Sequence, residues 1–351
     1  MVLVNNPGDW GHLYAPLAHA EWNGWTFTDL VFPFFLFAAG LSMAISIDRR
    51  VGSGMDRATL VRSLALRAAI IFGVGLALNF IPGFDLSTLR VPGVLQRIAL
   101  CVLVAAPMAV HSSTRSVGAW IAILLAAYAI PMLLVPVPGP DGIVAAGRLE
   151  PGRDFGSWVD RAILDGHLWS KSRTWDPEGL VSTLPAIASL LFGVITGRAL
   201  LAARGGMMTT LMMAAAGLAA LAIGLALDAL FMPINKNLWT PSYCVFMAGW
   251  SLVAFAAFHA MMDTAPSAAF RAGARRALLP LVIFGMNALF IFAFSGLVAR
   301  LLGSRKAWLY APLQALPIAP ENASLLFAIA FELAMFAVAW TMWKKGWFVK
   351  V

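Results

Sequence analysis

The most constraining feature of this chain is a series of apolar runs, each close to 20 residues long and nearly free of charge. A helix needs about 20 apolar residues to cross the ~30 Å hydrocarbon core of a bilayer. The composition agrees, because 60% of the residues are hydrophobic and only 12% are charged, whereas soluble domains have about 45–50% and 25%. We therefore predict an all-α fold, a polytopic transmembrane helical bundle that forms a single domain over residues 1–351.

The runs predict nine full spans. Met1–Val4 is apolar but too short to cross a membrane, so we expect a truncated first helix before them. Thr28 and Asp29 are placed for the N-cap and first turn of the first full span. The nine predicted spans are Thr26–Ile47, Ser63–Ile81, Val94–Val110, Val117–Val135, Leu180–Leu200, Met207–Phe231, Pro241–Met262, Leu278–Leu297 and Ala323–Trp343.

The distribution of basic residues predicts the orientation of the bundle. The loop at 48–62 carries Arg49, Arg50, Arg57 and Arg62, and basic loops remain in the cytoplasm. This rule places the loop around His19 outside and the C-terminus in the cytoplasm. The net charge of +8 then reflects basic cytoplasmic loops, and no nucleic-acid partner is expected. The longest polar segment, 136–178, falls outside by alternation and has enough apolar residues for a helical lid over the bundle.

The segment before the first full span concentrates polar, aromatic and titratable residues. His19 precedes Trp22-Asn23-Gly24-Trp25 and lies ten residues before Asp29, at the mouth of a helix. A carboxylate beside a histidine can fix its tautomer and stabilise its imidazolium, as general-base or nucleophilic catalysis requires. The alternative is an interfacial histidine within an aromatic belt. We expect no metal, because His12 and His19 have no obvious third ligand.

Further polar clusters are predicted on the same face. Arg90 precedes Gln96 and Arg97, which fall on the first turn of a span, while a mid-span asparagine, Asn287, marks a candidate functional position. Amides, carboxylates and tryptophan are the groups that bind an amino sugar: they supply hydrogen bonds to hydroxyls, a counter-charge for the amine and an aromatic face. Such groups recur in Asp176-Pro177-Glu178-Gly179 and in Asn235-Lys236-Asn237-Leu238-Trp239.

These clusters, taken in order, resemble one known family, the heparan-α-glucosaminide N-acetyltransferases, which have bacterial relatives linked to N-acetylglucosamine use. The resemblance covers essentially the whole chain. The family usually has a full first helix, opened by Ser-Leu-Asp-x-x-Arg-Gly, where only Met1–Val4 stands here. The segments that carry the resemblance are Asn5-Asn6-Pro7-Gly8, His19-Ala20-Glu21-Trp22-Asn23-Gly24, Thr28-Asp29-Leu30-Val31-Phe32-Pro33, Arg90-Val91-Pro92-Gly93-Val94-Leu95-Gln96-Arg97, Asp176-Pro177-Glu178-Gly179 and Asn235-Lys236-Asn237-Leu238-Trp239.

The resemblance implies transfer of an acetyl group from cytosolic acetyl-CoA to the amine of a glucosamine or glucosaminide on the far side of the membrane. The family's catalytic histidine maps to His19, and its asparagine and following aspartate map to Asn23 and Asp29. It also implies a homodimer, and we expect a bacterial inner-membrane location. His19 is expected to act as acetyl carrier or general base, with Asp29 orienting it. Gln96, Arg97 and Asn287 are expected beside acetyl-CoA, and the expected sugar-binding residues are Asn5, Asn6, Trp22, Asn23, Arg90, Asp176, Glu178, Lys236, Asn237 and Trp239.

Two functions of other classes remain open at this point. One is a sugar or amino-sugar permease without acyl transfer, because transporters bind their substrates between helices. The other is a receptor or scaffold without chemistry. Against the permease, the sequence shows no inverted repeat and its polar clusters fall at the rim of the bundle.

Overall fold

A computed structural model describes residues 1–203 and 205–349 of the chain, and this part is a bundle of helices with almost no sheet. The all-α expectation is confirmed. The helices are α1 (Val2–Asn5), α2 (Val31–Gly52), α3 (Arg57–Phe80), α4 (Val94–His111), α5 (Thr114–Leu134), α6 (Phe155–Leu164), α7 (Thr183–Ala202), α8 (Met207–Leu230), α9 (Pro241–His259), α10 (Ala268–Ala277), α11 (Leu279–Met286), α12 (Ala288–Leu302), α13 (Arg305–Gln314) and α14 (Pro320–Lys344).

Within the described ranges, eight helices are long and apolar enough to cross a membrane, and a ninth span results if α11 and α12 count as one. Those two helices meet at Asn287 with a bend of 79°, so the predicted continuous span Leu278–Leu297 is wrong. The buried Asn287 amide donates to Trp347 O (3.0 Å) and accepts from Val349 N (2.9 Å). These bonds to the chain that follows α14 satisfy a polar side chain at the break.

The centre of the bundle is a cluster of buried apolar residues from α2, α3, α4, α5, α7 and α9. Helices α2 and α7 approach so closely that only glycine fits at two facing positions. A Cβ atom on Gly40 would lie 1.9 Å from Leu190 O, and one on Gly193 would lie 2.0 Å from Phe37 O. Small residues allow such backbone contact between membrane helices, where dispersion forces do most of the stabilising. The α2–α7 pair is thus the tightest part of the core.

A second buried cluster joins α1, α11, α12 and α14. Val2 of α1 packs with Ile283 of α11, Ile291 of α12, and Phe331 and Met335 of α14. The short α1 also leads to Gly8, whose N–H donates to Ser324 O in α14 at 3.1 Å. This second cluster is separate from the central one, so the bundle consists of two packed groups of helices with α12 adjoining α3.

Loops from four parts of the chain meet at one end of the bundle, which we call the His19 end. Gly24 N donates to Ile234 O at 2.7 Å, and Val91 N donates to His167 O at 3.0 Å. The segment 136–178 lies here, but the expected helical lid is largely wrong, because its one helix is α6. The rest consists of turns and a small hairpin, whose strands Val137–Pro138 and Val144–Ala145 have two residues each. Gly142, Gly147, Gly152 and Gly166, all at positive φ, interrupt any longer helix there.

Candidate functional site

The His19 end holds a histidine–carboxylate pair of the kind that activates an imidazole. His19 Nδ1 lies 2.6 Å from Asp29 Oδ1. The His19 side chain is 44% exposed, whereas the Asp29 side chain is completely buried. A carboxylate only accepts hydrogen bonds, so this contact fixes the ring proton on Nδ1. The lone pair of the imidazole is therefore on Nε2, which is free to attack an electrophile or take a proton.

Asp29 is held in place by the start of the first span. It lies in the 3-10 turn Phe27–Leu30 that leads into α2, and its Oδ2 accepts from Thr26 N (3.0 Å) and Ala20 N (3.1 Å). Tyr243 also donates its hydroxyl to the Asp29 carbonyl oxygen at 2.7 Å. The expected N-cap at Thr28 is wrong: Thr26 occupies that position, and Asp29 closes a capping box as the third residue of the turn.

Lys236 comes from a distant loop and completes a group of three with His19 and Asp29. Its Nζ lies 3.2 Å from Nδ1 and 3.3 Å from Nε2 of His19, and 3.8 Å from Asp29 Oδ1. The two loops are joined nearby, where Asn235 Nδ2 donates to Asn23 Oδ1 at 3.1 Å. The structure thus brings together three residues that the sequence separately proposed for this site, His19, Asp29 and Lys236.

Arg90, Asp176 and Glu178 form a second group, as their positions in the sequence suggested. Arg90 makes a bidentate contact with Asp176 (2.8 and 2.5 Å), and its Nη2 also reaches Glu178 Oε2 at 2.7 Å. Burial lowers the pKa of Arg90, but the two carboxylates raise it by more, above the usual arginine range. Burial likewise raises the pKa of Glu178, and the charges of Arg90, Arg97 and Lys236 outweigh it, so that pKa is below its usual value. Both groups are charged at neutral pH.

Gln96 and Arg97 stand on the first turn of α4 and are fully enclosed. Arg97 Nη2 donates to Gly179 O (3.1 Å) and to the Ser182 hydroxyl, and the guanidinium lies over the Trp239 ring at 5.3 Å. Among the described residues, Nε and Nη1 of Arg97 and Nε2 of Gln96 have no hydrogen-bond partner. Buried donors without partners cost free energy, and these suit the carbonyl or phosphate oxygens of a bound molecule.

Other predicted site residues lie apart from His19 or are engaged elsewhere. Asn5 is exposed at the end of α1, and Asn6 is buried with its Nδ2 donating to Val2 O at 2.7 Å. Asn287 bonds the chain after α14, and no described contact joins it to Gln96 or Arg97. Trp239 is 1% exposed and donates to Ser189 Oγ, so its ring is not open to a sugar.

Trp22 and Asn237 border a small recess beside the Arg90 group. Trp22 Nε1 donates to Leu149 O at 2.7 Å, and its ring packs edge-on against Trp175. The recess adjoins Trp22 through Trp175. Asp154 and Asp160 from the α6 region bring acidic groups that sequence analysis had not selected. The recess is lined by Tyr128, Met132, Asp154, Gly156, Ser157, Asp160, Trp175, Asp176, Ser182, Asn237 and Leu238.

Asp160 should give the protein a pH-dependent stability. Its Oδ1 accepts from Leu180 N at 2.8 Å, and burial, reinforced by Asp176 and Asp154, raises its pKa from 3.8 to about 7. A carboxyl whose pKa is raised by folding costs stability once the unfolded chain ionises. That cost grows from pH about 4 to about 7 and then levels off. We expect Asp160→Asn to melt several degrees higher than wild type at pH 8, with a much smaller difference at pH 5.

Thermal unfolding in detergent at the two pH values measures this effect. Asp165→Asn is the matched control, since Asp165 lies on the same segment with its Oδ1 in a local turn contact to Gly166 N. An equal gain for Asp160→Asn at both pH values would contradict the assignment of the raised pKa.

Sequence reasoning did not select Thr26, Asn235 or Tyr243, although each holds part of the site. Thr26 was detectable, because Thr-x-x-Asp before an apolar run is the pattern of a capping box. Asn235 was noticed only as part of a cluster, and it joins the loops through Asn23 and Leu238 N. Tyr243 gave no signal, because its hydroxyl reaches a backbone atom 214 positions away.

Comparison with known proteins finds similarity over the part of the chain that carries His19 and Asp29. Residues 9–147, which include His19 and Asp29, match a family model described as heparan-alpha-glucosaminide N-acetyltransferase, catalytic. Over 315 aligned residues the chain is 28% identical to the human heparan-alpha-glucosaminide N-acetyltransferase and 26% identical to the mouse protein. Each alignment covers 75% of this chain and 47% of the relative, so the chain spans about half the length of the curated relatives it matches. The resemblance expected from the ordered motifs is thus confirmed, and the chain is similar to the heparan-alpha-glucosaminide N-acetyltransferases.

Proposed function

We propose that this protein transfers the acetyl group of acetyl-CoA to the amine of glucosamine or a glucosaminide. The observation that carries the proposal is the exposed imidazole of His19 with its Nδ1 2.6 Å from the buried Asp29 carboxylate. Relatives named as N-acetyltransferases, and a catalytic family model over these residues, support an acyltransferase. A neutral imidazole with a free Nε2 is chemically suited to acyl transfer.

The donor enters from the cytosol and the acceptor is bound at the outer face. Basic loops at the end of the bundle opposite His19 support this orientation, with the C-terminus cytoplasmic. The membrane is a bacterial inner membrane. The CoA phosphates are expected near Arg49, Arg50, Arg275 and Arg276, and the thioester near the unpartnered donors of Gln96 and Arg97. The active form is a homodimer. No metal takes part in the proposed chemistry.

The acceptor is an amino sugar, held beside the acidic groups of the recess. Arg90 already neutralises Asp176 and Glu178, so Asp154 and Asp160 are the two carboxyls of that lining with no direct arginine contact among the described residues. Exposed Trp25 and Trp10 offer aromatic faces on this end of the chain that buried Trp239 does not. Free glucosamine, an oligosaccharide and a cell-wall fragment share the required amine, and an acceptor panel with acetyl-CoA separates them.

Two routes use the same residues. In one, His19 Nε2 is acetylated and then passes the acetyl group to the amine. In the other, both substrates are bound and His19 takes the proton that the amine loses as it attacks. Incubation with radiolabelled acetyl-CoA and no acceptor tests the first route, which requires label on the protein at His19. Absence of label removes it.

Asp29→Asn should lower transfer by about 10²-fold or more, because an amide no longer fixes the proton on Nδ1 of His19. The outer surface offers a matched control: His12 Nδ1 lies 2.8 Å from Asp9 Oδ2, the same contact at a residue to which no chemistry is assigned. We expect Asp9→Asn to retain near-normal transfer. Steady-state rates of CoA release with glucosamine measure both variants, and equal rates for the two would contradict the role of Asp29.

A permease for amino sugars is the second candidate, and the 79° break between α11 and α12 favours it, because transporters often bind substrate at broken helices. The Asn287 amide at that break is already paired with the chain after α14. A thermal-shift assay with CoA and, separately, with glucosamine discriminates between the two functions. Stabilisation by CoA supports the acetyltransferase, and stabilisation by the sugar alone supports the permease.

A further inference from the structure

Lys236 occupies a position that substrate binding alone does not explain. Its Nζ is almost equidistant from the two ring nitrogens of His19, at 3.2 Å from Nδ1 and 3.3 Å from Nε2. The N–H of Nδ1 and the lone pair of Nε2 point away from each other in the plane of the ring. An atom that is equally close to both nitrogens therefore lies off both of these directions. The ammonium is beside the reactive nitrogen and leaves its lone pair open.

The charges around Lys236 keep it in that position. Asp29 Oδ1 lies 3.8 Å from Nζ and simultaneously holds His19 Nδ1, so one carboxylate orients both side chains. Burial lowers the pKa of Lys236, the charges of Asp29 and Glu178 oppose that change, and the charge of Arg97 adds to it. These are the charged groups that face the lysine from the start of α2, the loop before α7 and the start of α4. Its Cα lies in the loop before α9, which is anchored through Asn235.

We propose that Lys236 is a further catalytic residue, an electrophile that binds the oxygen of the acyl group as His19 attacks it. This inference rests on the covalent route of the proposed acyl transfer, in which His19 carries the acetyl group. The lone pair of Nε2 forms a bond to the carbonyl carbon, and the π pair of the carbonyl moves to its oxygen, beside the Lys236 ammonium. The C–S bond then breaks, its electron pair leaves with sulfur as the CoA thiolate, and the C=O bond re-forms.

The second half of the reaction returns the site to its initial state. The acceptor amine attacks the acetyl carbon, and the π pair again moves to the oxygen beside Lys236. The C–N bond to Nε2 breaks, with its electron pair returning to the imidazole, and the amine proton is released to water. A cation that stabilises the oxyanion in both halves acts as an oxyanion hole does, and removal of one such donor costs about 10²–10³-fold in rate.

The chain contains an internal control for this role. His12 and Asp9 repeat the histidine–carboxylate contact at 2.8 Å, and the His12 side chain is 46% exposed, close to the 44% of His19. No lysine contact to His12 occurs in the described part of the chain. The two histidines therefore have the same type of carboxylate contact and similar exposure. His12 has no ammonium beside its ring, and its carboxylate partner is partly exposed whereas that of His19 is buried.

Carbethoxylation by diethyl pyrocarbonate tests the proposal without the natural substrates. Nε2 attacks a carbonyl carbon of the reagent, an oxyanion forms, and ethyl carbonate leaves. The folded protein is labelled briefly and then digested, and mass spectrometry of the peptides gives the rates at His19 and His12 separately. We expect Lys236→Met to slow the labelling of His19 about tenfold or more and to leave that of His12 unchanged. A faster reaction at His19 in Lys236→Met would mean that the ammonium masks Nε2, and would overturn the proposal.

Transfer kinetics provide the second test. Lys236→Met should lower kcat about 10²-fold with little change in KM for glucosamine, whereas loss of a mere sugar contact raises KM. Wild-type transfer should fall at alkaline pH, where Lys236 loses its proton. This fall should begin at a lower pH than is usual for a lysine, because burial lowers the pKa of Lys236. Lys236→Arg keeps the charge and should lose that alkaline fall. Lys306→Met, on α13, is the control with wild-type kinetics.

The two tests separate this proposal from the proposed function. If wild type transfers no acetyl group to any amine, the acetyltransferase assignment fails, while the labelling rates still report on Lys236. If transfer proceeds and Lys236→Met keeps its kcat, the electrophile role alone is refuted. If Lys236→Met does not fold, the pH profile of the transfer rate of Lys236→Arg decides the question. An alkaline fall identical to that of wild type would contradict the role of Lys236.

Discussion

Replacing His19 by alanine is expected to abolish acetyl transfer while the protein still folds and inserts. The loss removes the imidazole that carries the proposed chemistry in either route, and no other histidine contacts Asp29 in the described structure. The structural cost is small, because the His19 side chain is 44% exposed and Asp29 keeps its backbone contacts to Thr26 and Ala20. CoA release with glucosamine as acceptor, together with the unfolding temperature, measures the two effects separately.

His12→Ala is the control for this experiment, since it removes an equally exposed histidine from the same carboxylate contact. We expect wild-type transfer from it. Near-normal turnover by His19→Ala would contradict the assignment of His19 as the catalytic residue and would favour the permease as the function. Complete loss of folded protein would instead show that the contact with Asp29 is structural. The bonds that Ala20, Thr26 and Tyr243 donate to Asp29 argue against that result.

Gly193→Ala should have the largest effect on stability. A methyl group there would lie 2.0 Å from Phe37 O, 2.8 Å from Phe37 C and 2.9 Å from Leu41 N, all backbone atoms of α2. No rotamer change relieves a contact with backbone, so α2 and α7 have to move apart along the centre of the core. Overpacking of this kind costs about 1–3 kcal/mol or more, and the yield of monodisperse protein and its melting temperature should both fall sharply.

Gly118→Ala is the matched control, because a Cβ atom on Gly118 of α5 has nothing within 4 Å. Alanine favours a helix more than glycine does, so this variant should be as stable as wild type or slightly more so. If Gly193→Ala melted at the temperature of Gly118→Ala, the close approach of α2 and α7 would be refuted. Since α2 begins two residues after Asp29, any folded fraction of Gly193→Ala should also show reduced transfer.

Local sequence signals were sufficient for the spans and for the histidine–carboxylate pair. Hydropathy identifies the membrane helices because length and apolar composition are all that a span requires. His19 and Asp29 are ten residues apart within one ordered motif, and the capping box of Thr26 was also visible locally. The break at Asn287 was not, because it depends on the chain around Trp347 and Val349.

Contacts between distant loops could not be predicted from the sequence. Lys236 reaches His19 across 217 positions, and nothing in its own neighbourhood indicates which face of the loop it occupies. Trp239 illustrates the opposite error: a tryptophan in a polar loop suggests a sugar platform, but its positive φ of 54° and its bond to Ser189 place the ring inside the bundle. Composition alone does not separate an exposed ring from a buried one.

The close fit of α2 against α7 also fixes how the protein can respond to its lipid surroundings. Helix α2 has 22 residues, about 33 Å at 1.5 Å per residue, and it begins two residues after Asp29 and ends just after Arg49 and Arg50. A membrane of unsuitable thickness is usually accommodated by tilting or sliding of single helices. Neither α2 nor α7 can slide along the other, because the carbonyl oxygens of Leu190 and Phe37 already contact Gly40 and Gly193 of the facing helix. The two helices therefore tilt as one body. The depth of the His19–Asp29 pair relative to the lipid headgroups then varies with bilayer thickness, while its distance from Arg49 and Arg50 stays constant.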